Sequence, residues 1–429
     1  MPTVPEPAPP APTTFTAGDD AEAAAARAAM VDRLHETGDL SPGPVADALR
    51  ALPRQALMPQ AYMRTSAPGE TPPRWELLDW SVPEDRPALL RVLHSGDSVA
   101  VQHEGEPLLS RARGPRSGGA MTAMSSVLGM TARLLQELDL RPEQRVLDVG
   151  TGAGVTAAVV CFVSGDKDTV TIDLDRHITD AAAQRLAGLG YRPTAATGDG
   201  EEDWPPGAPY DRVFLSFAVP RVPGALVEQL APRGRLLATV STRSPSWPGL
   251  AVITKTEQGH VQGELRAVEF GHRAGWGRQR LCLSTAFREQ IAIGVGVTVR
   301  GQSPPPPVQA RGMWLALDHL HPGLVRDFGA EQLQIGAPEC GSWVRVRPDG
   351  EGTCSITQSG PRAIWEEIEQ IADRWLAAGE PSSYRIEFDA DGTQRATAGH
   401  GRSELCWTLP NPPRRPTPQQ PGTRSIRPA

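Results

Sequence analysis

Cysteine is scarce in this chain. Its 429 residues include five, Cys161, Cys282, Cys340, Cys354 and Cys406, with no CxxC pair and no zinc-ligand spacing. That excludes a disulfide-stapled scaffold and a thiolate metal site; incidental thiols in a reducing compartment are expected. Long apolar runs are missing too, and none approaches the ~18 residues of a membrane span. The N-terminus lacks the basic region and apolar core of a signal peptide, so the chain reads as cytoplasmic, with no membrane partner. No long basic run occurs in the body and the net charge is −7. This argues against nucleic acid, whose phosphates need clustered Lys and Arg. Large apolar groups are also few at both ends: residues 1–25 and 411–429 are rich in Pro, Ala, Thr and Arg and read as a disordered arm and tail.

What lies between is patterned for a core. Two helical segments are expected in residues 28–62, the second capped by Ser41 with Pro42 at its first position and an apolar face of Val45, Leu49 and Leu52. An irregular stretch with Trp75 and Trp80 follows to about residue 119. Then "SSVLGMTARLLQELDL" reads as a helix, with Met124, Met130, Leu134, Leu135 and Leu138 as its buried stripe. We group residues 26–140 as an N-terminal helical cap region.

From Arg145 the pattern alternates: "RVLDV", "TVTIDL", "YDRVFLSFAV" and "RLLATVS" as strands, with helices between them. Such alternation predicts an α/β fold with a doubly wound, mostly parallel Rossmann-like sheet over residues 141–300, its ligand at the carboxyl ends of the strands. "LAVITKTE" and "HVQGELRAVEF" look like an antiparallel hairpin finishing that sheet. A Pro-rich linker is expected at 301–308, and a C-terminal α+β domain at 309–410, suited to packing or peptide recognition. Its helix "PRAIWEEIEQIADRWLAAG" places Ile364, Trp365, Ile368, Ile371, Trp375 and Leu376 on one side.

The chemistry concentrates in "VLDVGTGAG". A GxGxxG/A dinucleotide fingerprint fits only by force, on Gly152, Gly154 and Ala157. An acid followed by GxGxG fits directly: Asp148, Gly150, Thr151, Gly152 and Gly154. A carboxylate at that strand end suits a cofactor carrying positive charge, the sulfonium and ammonium of S-adenosylmethionine, and would sit badly beside a pyrophosphate. Asp173, followed by Leu174, closes the next strand, where a carboxylate accepts ribose hydroxyls. Asp199 and Gly200 in "GDG" follow the third strand, at the level of an adenine amine.

These segments, in order, resemble the protein-L-isoaspartate O-methyltransferase family over about residues 28–270. Leu52-Pro53-Arg54, Met58-Pro59 and Tyr62 are similar to its "VPR…F.P..Y" ending. "SSVLGMTARLLQEL" sits where the family has "SQPxxVAxMxExL", with Ser126 on the motif serine and Val127-Leu128 replacing the usual Gln-Pro. "YDRVFLSFAVPRVPGALVEQL" is similar to "FDAIIVTAAPPxIPxxLxxQL". The resemblance implies a class I methyltransferase fold and an S-adenosylmethionine-dependent carboxyl O-methyltransferase. The longer chain, with "QSGPRAIWEEIEQIADRW", resembles the bacterial branch that tailors ribosomally made precursor peptides, whose members methylate an Asp side chain that then closes to an aspartimide. Repair of isoaspartyl residues in damaged proteins is the second reading, and a non-catalytic peptide-binding descendant a distant third.

A carboxylate, of pKa ~4, is already ionised near neutral pH, so its methylation needs alignment and no general base. Ser126, with Ser125, is the expected catalytic pair for orienting the acceptor, and helix capping is a compatible role for both. The nine histidines are dispersed; His177 reads as a helix-start or surface residue. Beyond the sheet, Arg273, Trp276 and Arg278, next to His272 and Arg280, are candidate substrate contacts.

Overall fold

The computed structural model describes residues 17–67, 70–109, 111–202, 204–242, 244, 249–268, 283–304, 309–328, 332–350, 352–401 and 404–411. Three helices open it: α1 (Ala17–Glu36), α2 (Pro44–Ala51) and α3 (Arg54–Leu57). The first of these begins inside the arm expected to be disordered to residue 25, and Ala23 is fully buried. Gly43, not Ser41, caps α2, because Pro44 takes the first helical position, where its missing N–H costs nothing.

The stretch expected to be irregular is a small α/β cap. It contains β1 (Gln60–Arg64), β2 (Arg74–Asp79), α4 (Arg86–Leu93), β3 (Val99–His103), β4 (Pro115–Ser117) and β5 (Met121–Ser125). These strands form a three-stranded sheet, β1-β2-β4, and a two-stranded one, β3-β5. The helix expected from Ser125 begins later, as α5 (Leu128–Glu137), because Ser125 is paired with Val99 across the β3-β5 ladder. Val127 precedes that helix, which has no side-chain cap, so neither serine plays a capping role.

The alternating region forms β6 (Val146–Val149), α6 (Val155–Ser164), β7 (Thr169–Asp173), α7 (Arg176–Gly188), β8 (Thr194–Thr197), β9 (Tyr210–Val219), α8 (Gly224–Glu228), β10 (Leu230–Val240), β11 (Gly249–Lys255) and β12 (Val261–Ala267). Strands β8-β7-β6-β9-β10 are parallel neighbours, and β11 and β12 add an antiparallel hairpin. The order reverses between β6 and β9, which is the switch point where ligands of such sheets bind. Side chains alternate between two cores. Leu147 and Val149 face one, while Val146 faces the other with the α6 residues Ala157, Ala158 and Val159.

The hairpin does not finish the sheet. After α9 (Thr285–Ile293), β13 (Val297–Gln302), α10 (Arg311–Leu320), β14 (Val325–Phe328), β15 (Leu333–Ala337), β16 (Ser342–Gly350), β17 (Thr353–Ser359) and α11 (Ile364–Ala377), three last strands return to it. These are β18 (Ser383–Phe388), β19 (Gln394–Ala398) and β20 (Leu405–Thr408). Strand β18 pairs antiparallel with β12, giving one sheet of ten strands, β20-β19-β18-β12-β11-β10-β9-β6-β7-β8. Strands β13 to β17 make a separate five-stranded sheet. Gly301 and Gln302, expected in a linker, belong to β13 and pair with Cys354 and Thr353. The C-terminal region is therefore continuous with the parallel core, an arrangement that no periodicity reveals.

Two contacts lock it there. Gln394 Nε2 donates to the Val222 carbonyl at 2.6 Å, and the Val222 N–H donates back to Gln394 Oε1 at 3.1 Å. Trp314 on α10, fully buried, lies in one core with Leu147, Leu236, Ile253 and Trp375. Leu376, expected on the apolar side of α11, is exposed. Replacing Trp314 by alanine should lower the unfolding free energy by about 3–5 kcal/mol. In urea titrations the midpoint should drop and cofactor binding should be lost in the same transition; two separate transitions would refute the shared core.

Candidate active site

The bare loop after β6 has geometric reasons for each glycine. Gly150 has φ 94°, and a Cβ there would run into Ser216 Oγ and come within 2.9 Å of Phe217 Cδ1. Gly152 has φ 50°, and its Cβ would lie 2.9 Å from the Met124 carbonyl oxygen. Both are conformations and contacts that side chains resist. Gly154 caps α6 with φ 77°. Gly200 is closed in by Val149 and by Ile172 Cγ2 at 2.9 Å, so the "GDG" turn lies directly on the first two strands.

Asp148 and Asp173 hold this loop from two sides. The Gly152 N–H donates to Asp173 Oδ2 and the Asp175 N–H to Asp173 Oδ1, both at 3.1 Å. Asp148 is fully buried beneath the loop. Thr171 Oγ1 donates to its Oδ2 at 2.8 Å, Thr171 Oγ1 lies 2.7 Å from Thr151 Oγ1, and Asp148 Oδ1 has no partner among the described residues. Burial pushes the Asp148 carboxyl up to about 7; the Thr171 hydrogen bond opposes that rise and the Asp173 charge adds to it. Burial likewise raises Asp173. Asp199, half-buried, accepts from the Glu201 N–H at 3.0 Å in the turn after β8. Leu174 is 62% exposed beside Asp173 and offers an apolar surface at the same strand end.

The cap closes on this end of the sheet. Gln102, fully buried, donates to Asp175 Oδ2 at 2.7 Å and to the Glu106 carbonyl at 3.0 Å, and accepts from Thr122 at 2.7 Å. Asp175 also caps α7 by accepting from the His177 N–H at 2.8 Å, which matches the helix-start reading of His177. Behind it, Glu106 accepts from Tyr62, Arg111 and Arg116. Burial opposes ionisation of Glu106, yet those three donors bring its carboxyl below the ordinary range. Burial and the same hydrogen bond push Tyr62 up to about 12.

The contact of Met124 with Gly152 brings the strand end that carries Ser125 and Ser126 to the glycine loop. Ser125 is buried at the last position of β5, and Ser126 is half-buried in the turn before α5. Sequence reasoning did not find the groups behind them. Arg54 Nη2 lies 3.4 Å from Ser125 Oγ, and Arg54 Nε donates to the Leu93 carbonyl at 2.8 Å. His94, at the end of α4, is buried, and burial, with Arg54, Arg27 and Arg33, pushes it down to about 4. Ser216, whose hydroxyl donates to the Val149 carbonyl at 3.1 Å, was also missed. A small polar residue within a strand carries little local signal, and in the sequence Arg54 stands only as part of the Leu52-Pro53-Arg54 motif, with no role assigned to it. Arg273, Trp276 and Arg278, with His272 and Arg280, lie outside the described residues.

A doubly wound sheet with an acid beneath a GxGxG turn and a second acid at the next strand end defines a class I, S-adenosylmethionine-dependent methyltransferase. Comparison with known proteins carries this further. Residues 116–270 match the family model for protein-L-isoaspartate(D-aspartate) O-methyltransferase. The protein-L-isoaspartate O-methyltransferase of Ignicoccus hospitalis is 38% identical over 143 residues, 33% of this chain and 67% of that one. Protein-L-isoaspartate O-methyltransferase 2 of Archaeoglobus fulgidus is 37% identical over 155 residues, 34% and 69% respectively; the enzyme of Aeropyrum pernix is 34% identical over 166 residues, 36% and 63%. The chain belongs to the protein-L-isoaspartate O-methyltransferase family. It spans 63% to 69% of the length of these relatives, and about two thirds of it lies outside the matched part. A solved structure named protein-L-isoaspartate O-methyltransferase aligns over 89% of this chain and 99% of its own, at 17% identity and a TM-score of 0.45.

The residues present fit the family's cofactor. A buried carboxylate oxygen without a partner lies under a turn whose glycines leave no space for side chains, which suits a ligand that brings a cation close to backbone. Asp148 also makes a prediction about the cofactor-free protein. Its folded-state value, about 7, lies above the ordinary 3.8, so folding takes up a proton between them. The resulting stabilisation is present at low pH and is lost as pH rises through about 7. The melting temperature should therefore fall between about pH 5 and about pH 8, and Asp148→Asn should flatten that slope; an unchanged slope would refute the assignment.

Proposed function

We propose that this protein is an S-adenosylmethionine-dependent carboxyl O-methyltransferase that acts on an aspartyl side chain of a ribosomally made precursor peptide, so that the ester closes to an aspartimide. One observation carries the choice of a carboxyl acceptor. On the cap side of the glycine loop, the polar side chains beside Ser125 are Ser125 itself and the Arg54 guanidinium behind it, while the carboxylates of Asp148 and Asp173 lie on the cofactor side, beneath and beside the loop. The nearby imidazole, His94, is neutral and a poor base at neutral pH, since it protonates only near 4. Such a corner suits a nucleophile that arrives already ionised. A hydroxyl or ammonium acceptor would have to lose a proton first.

When bound, S-adenosylmethionine would supply a methyl carbon open to attack by a carboxylate oxygen, with the neutral thioether, which keeps the carbon–sulfur electron pair, as the leaving group. The chain's contribution is placement. Asp173 and Leu174 lie where the ribose and adenine would be held, with Asp199 and Gly200 closing the far side, and Asp148 supplies negative charge beneath Gly150, Thr151 and Gly152. Ser125 and Ser126 orient the acceptor without neutralising it. Once the ester exists, the next backbone nitrogen attacks its carbonyl, methanol leaves with that nitrogen's proton, and a five-membered imide remains. This step is intramolecular and asks nothing further of the enzyme.

Support for a peptide-tailoring role over repair comes from the parts that the matched relatives leave uncovered. About two thirds of the chain lies outside those matches, and within the matched part exposed Val127 stands where the family motif has Gln. The curated relatives favour the second reading, methylation of isoaspartyl residues in damaged proteins. Mass spectrometry separates them. Paired peptides containing Asp-Gly or isoaspartyl-Gly should be incubated with the enzyme and S-adenosylmethionine. Tailoring predicts gain of a methyl group and then net loss of one water on the Asp members. Methylation confined to the isoaspartyl members would establish repair and sink the tailoring reading; methylation of neither would remove both.

A further inference from the structure

We propose that Arg54 is the residue that makes the acceptor corner select a carboxylate, acting as a positioning residue through Ser125. The inference rests on the carboxyl-methylation reading above. It starts from an anomaly of charge. Arg54 is 3% exposed, and among the described residues no carboxylate pairs with it. Its Nε is spent on the Leu93 carbonyl at the end of α4, its Nη2 reaches Ser125 Oγ, and its Nη1 has no partner among the described residues. A buried cation without a counter-ion is expensive to keep, and stabilising the helix end needs only one of its donors.

The charged groups that act on His94 beside it are arginines, and His94 itself is neutral at neutral pH. His94 caps α4 beside it, with Nε2 unpartnered, and Arg33 of α1 donates to the His94 carbonyl at 2.6 Å. Arg27, also on α1, adds to the same positive field. Gln55, the next residue on α3, is buried with its Oε1 unpartnered. Asp148 and Asp173, on the ligand side, lie beneath and beside the glycine loop and do not pair with Arg54. Burial lowers Arg54 only to about 10, so it stays protonated at neutral pH.

A chain of direct contacts leads from this charge to the reacting end of the sheet: Arg54 to Ser125, Met124 beside it to Gly152, and Gly152 to Asp173. Ser125 with its hydroxyl oxygen turned to a guanidinium has its proton free to donate outward, toward an anion. The same field favours an ionised acceptor over a neutral amide of equal shape. An acceptor carboxylate thus supplies the negative charge that the folded chain leaves out.

The test uses full-length protein, a peptide that the wild type methylates, and the same peptide with its acceptor Asp replaced by Asn as a competitive inhibitor. Arg54→Gln and Arg54→Lys are both compared, since each keeps a donor for the Leu93 carbonyl. We expect the wild type to bind the Asp peptide at least about 10-fold more tightly than the Asn form. Arg54→Gln should erase that preference and lower kcat/KM for the peptide by about 100-fold, leaving the Kd for S-adenosylmethionine within about 2-fold. Arg54→Lys should restore part of the preference, because it restores the charge. An Asp-over-Asn preference unchanged in Arg54→Gln would overturn the proposal. So would parallel losses of cofactor affinity and melting temperature in both variants, the mark of a purely structural arginine. A wild type that methylates no peptide would remove the carboxyl-methylation reading and this inference with it, whereas an active wild type with an indifferent Arg54→Gln removes this inference alone.

Discussion

Gly152 is held between two oxygens. Its N–H donates to the Asp173 carboxylate, and the position where a side chain would begin is taken by the Met124 carbonyl. Through that residue the first parallel strand, the second parallel strand and the last strand of the cap are fixed to one another at a single point. Any side chain there would push the cap away from the sheet, and the cap carries Ser125, Ser126 and, behind them, Arg54. The cofactor end and the acceptor end of the site are thus one mechanical unit, joined where the backbone of Gly152 meets the Met124 carbonyl and the Asp173 carboxylate.

The rest of the molecule can be read as support for that joint. Gln102 ties β3 to Asp175, and Asp175 caps α7, so the cap is anchored on the residue two beyond Asp173. The Tyr62, Glu106, Arg111 and Arg116 cluster stiffens the cap from behind. On the opposite core, Gln394 and Trp314 hold the C-terminal strands to the parallel sheet, which covers β12 where an edge would otherwise stand open. Arg54 is a buried cation that no carboxylate among the described residues pairs with, and it stands behind Ser125 on the acceptor side. A bound anion there would change the electrostatic balance.

Much of the parallel core was legible from sequence. Four apolar strands separated by helical periods, with an acid and three glycines at the first turn, predicted the order of elements and the ligand end, and β6, β7, β9 and β10 follow that reading closely. The reading failed where pairing depends on distant residues. Ser125 belongs to a strand because Val99 lies opposite it, 26 positions earlier in the numbering. Locally, "SSVLGMTARL" carries an ordinary helical pattern, and only the ladder delays the helix to Leu128. The join of the C-terminal strands to the core sheet was hidden for the same reason: β18 reads as a strand in any setting, but nothing local says that its partner is β12.

What the sequence by itself determined is the chemistry of the cofactor end. Glycine at positions of positive φ, and carboxylates at successive strand ends, are properties of single residues and short spacings, so they survive without a structure. Only tertiary structure decided which groups stand on the acceptor side. Arg54, His94, Ser125 and Gln102 come from four separate elements, and none has meaning until packing removes water from around it. An arginine on a solvated helix is merely soluble; the same arginine, buried without a carboxylate, is a constraint on what can bind.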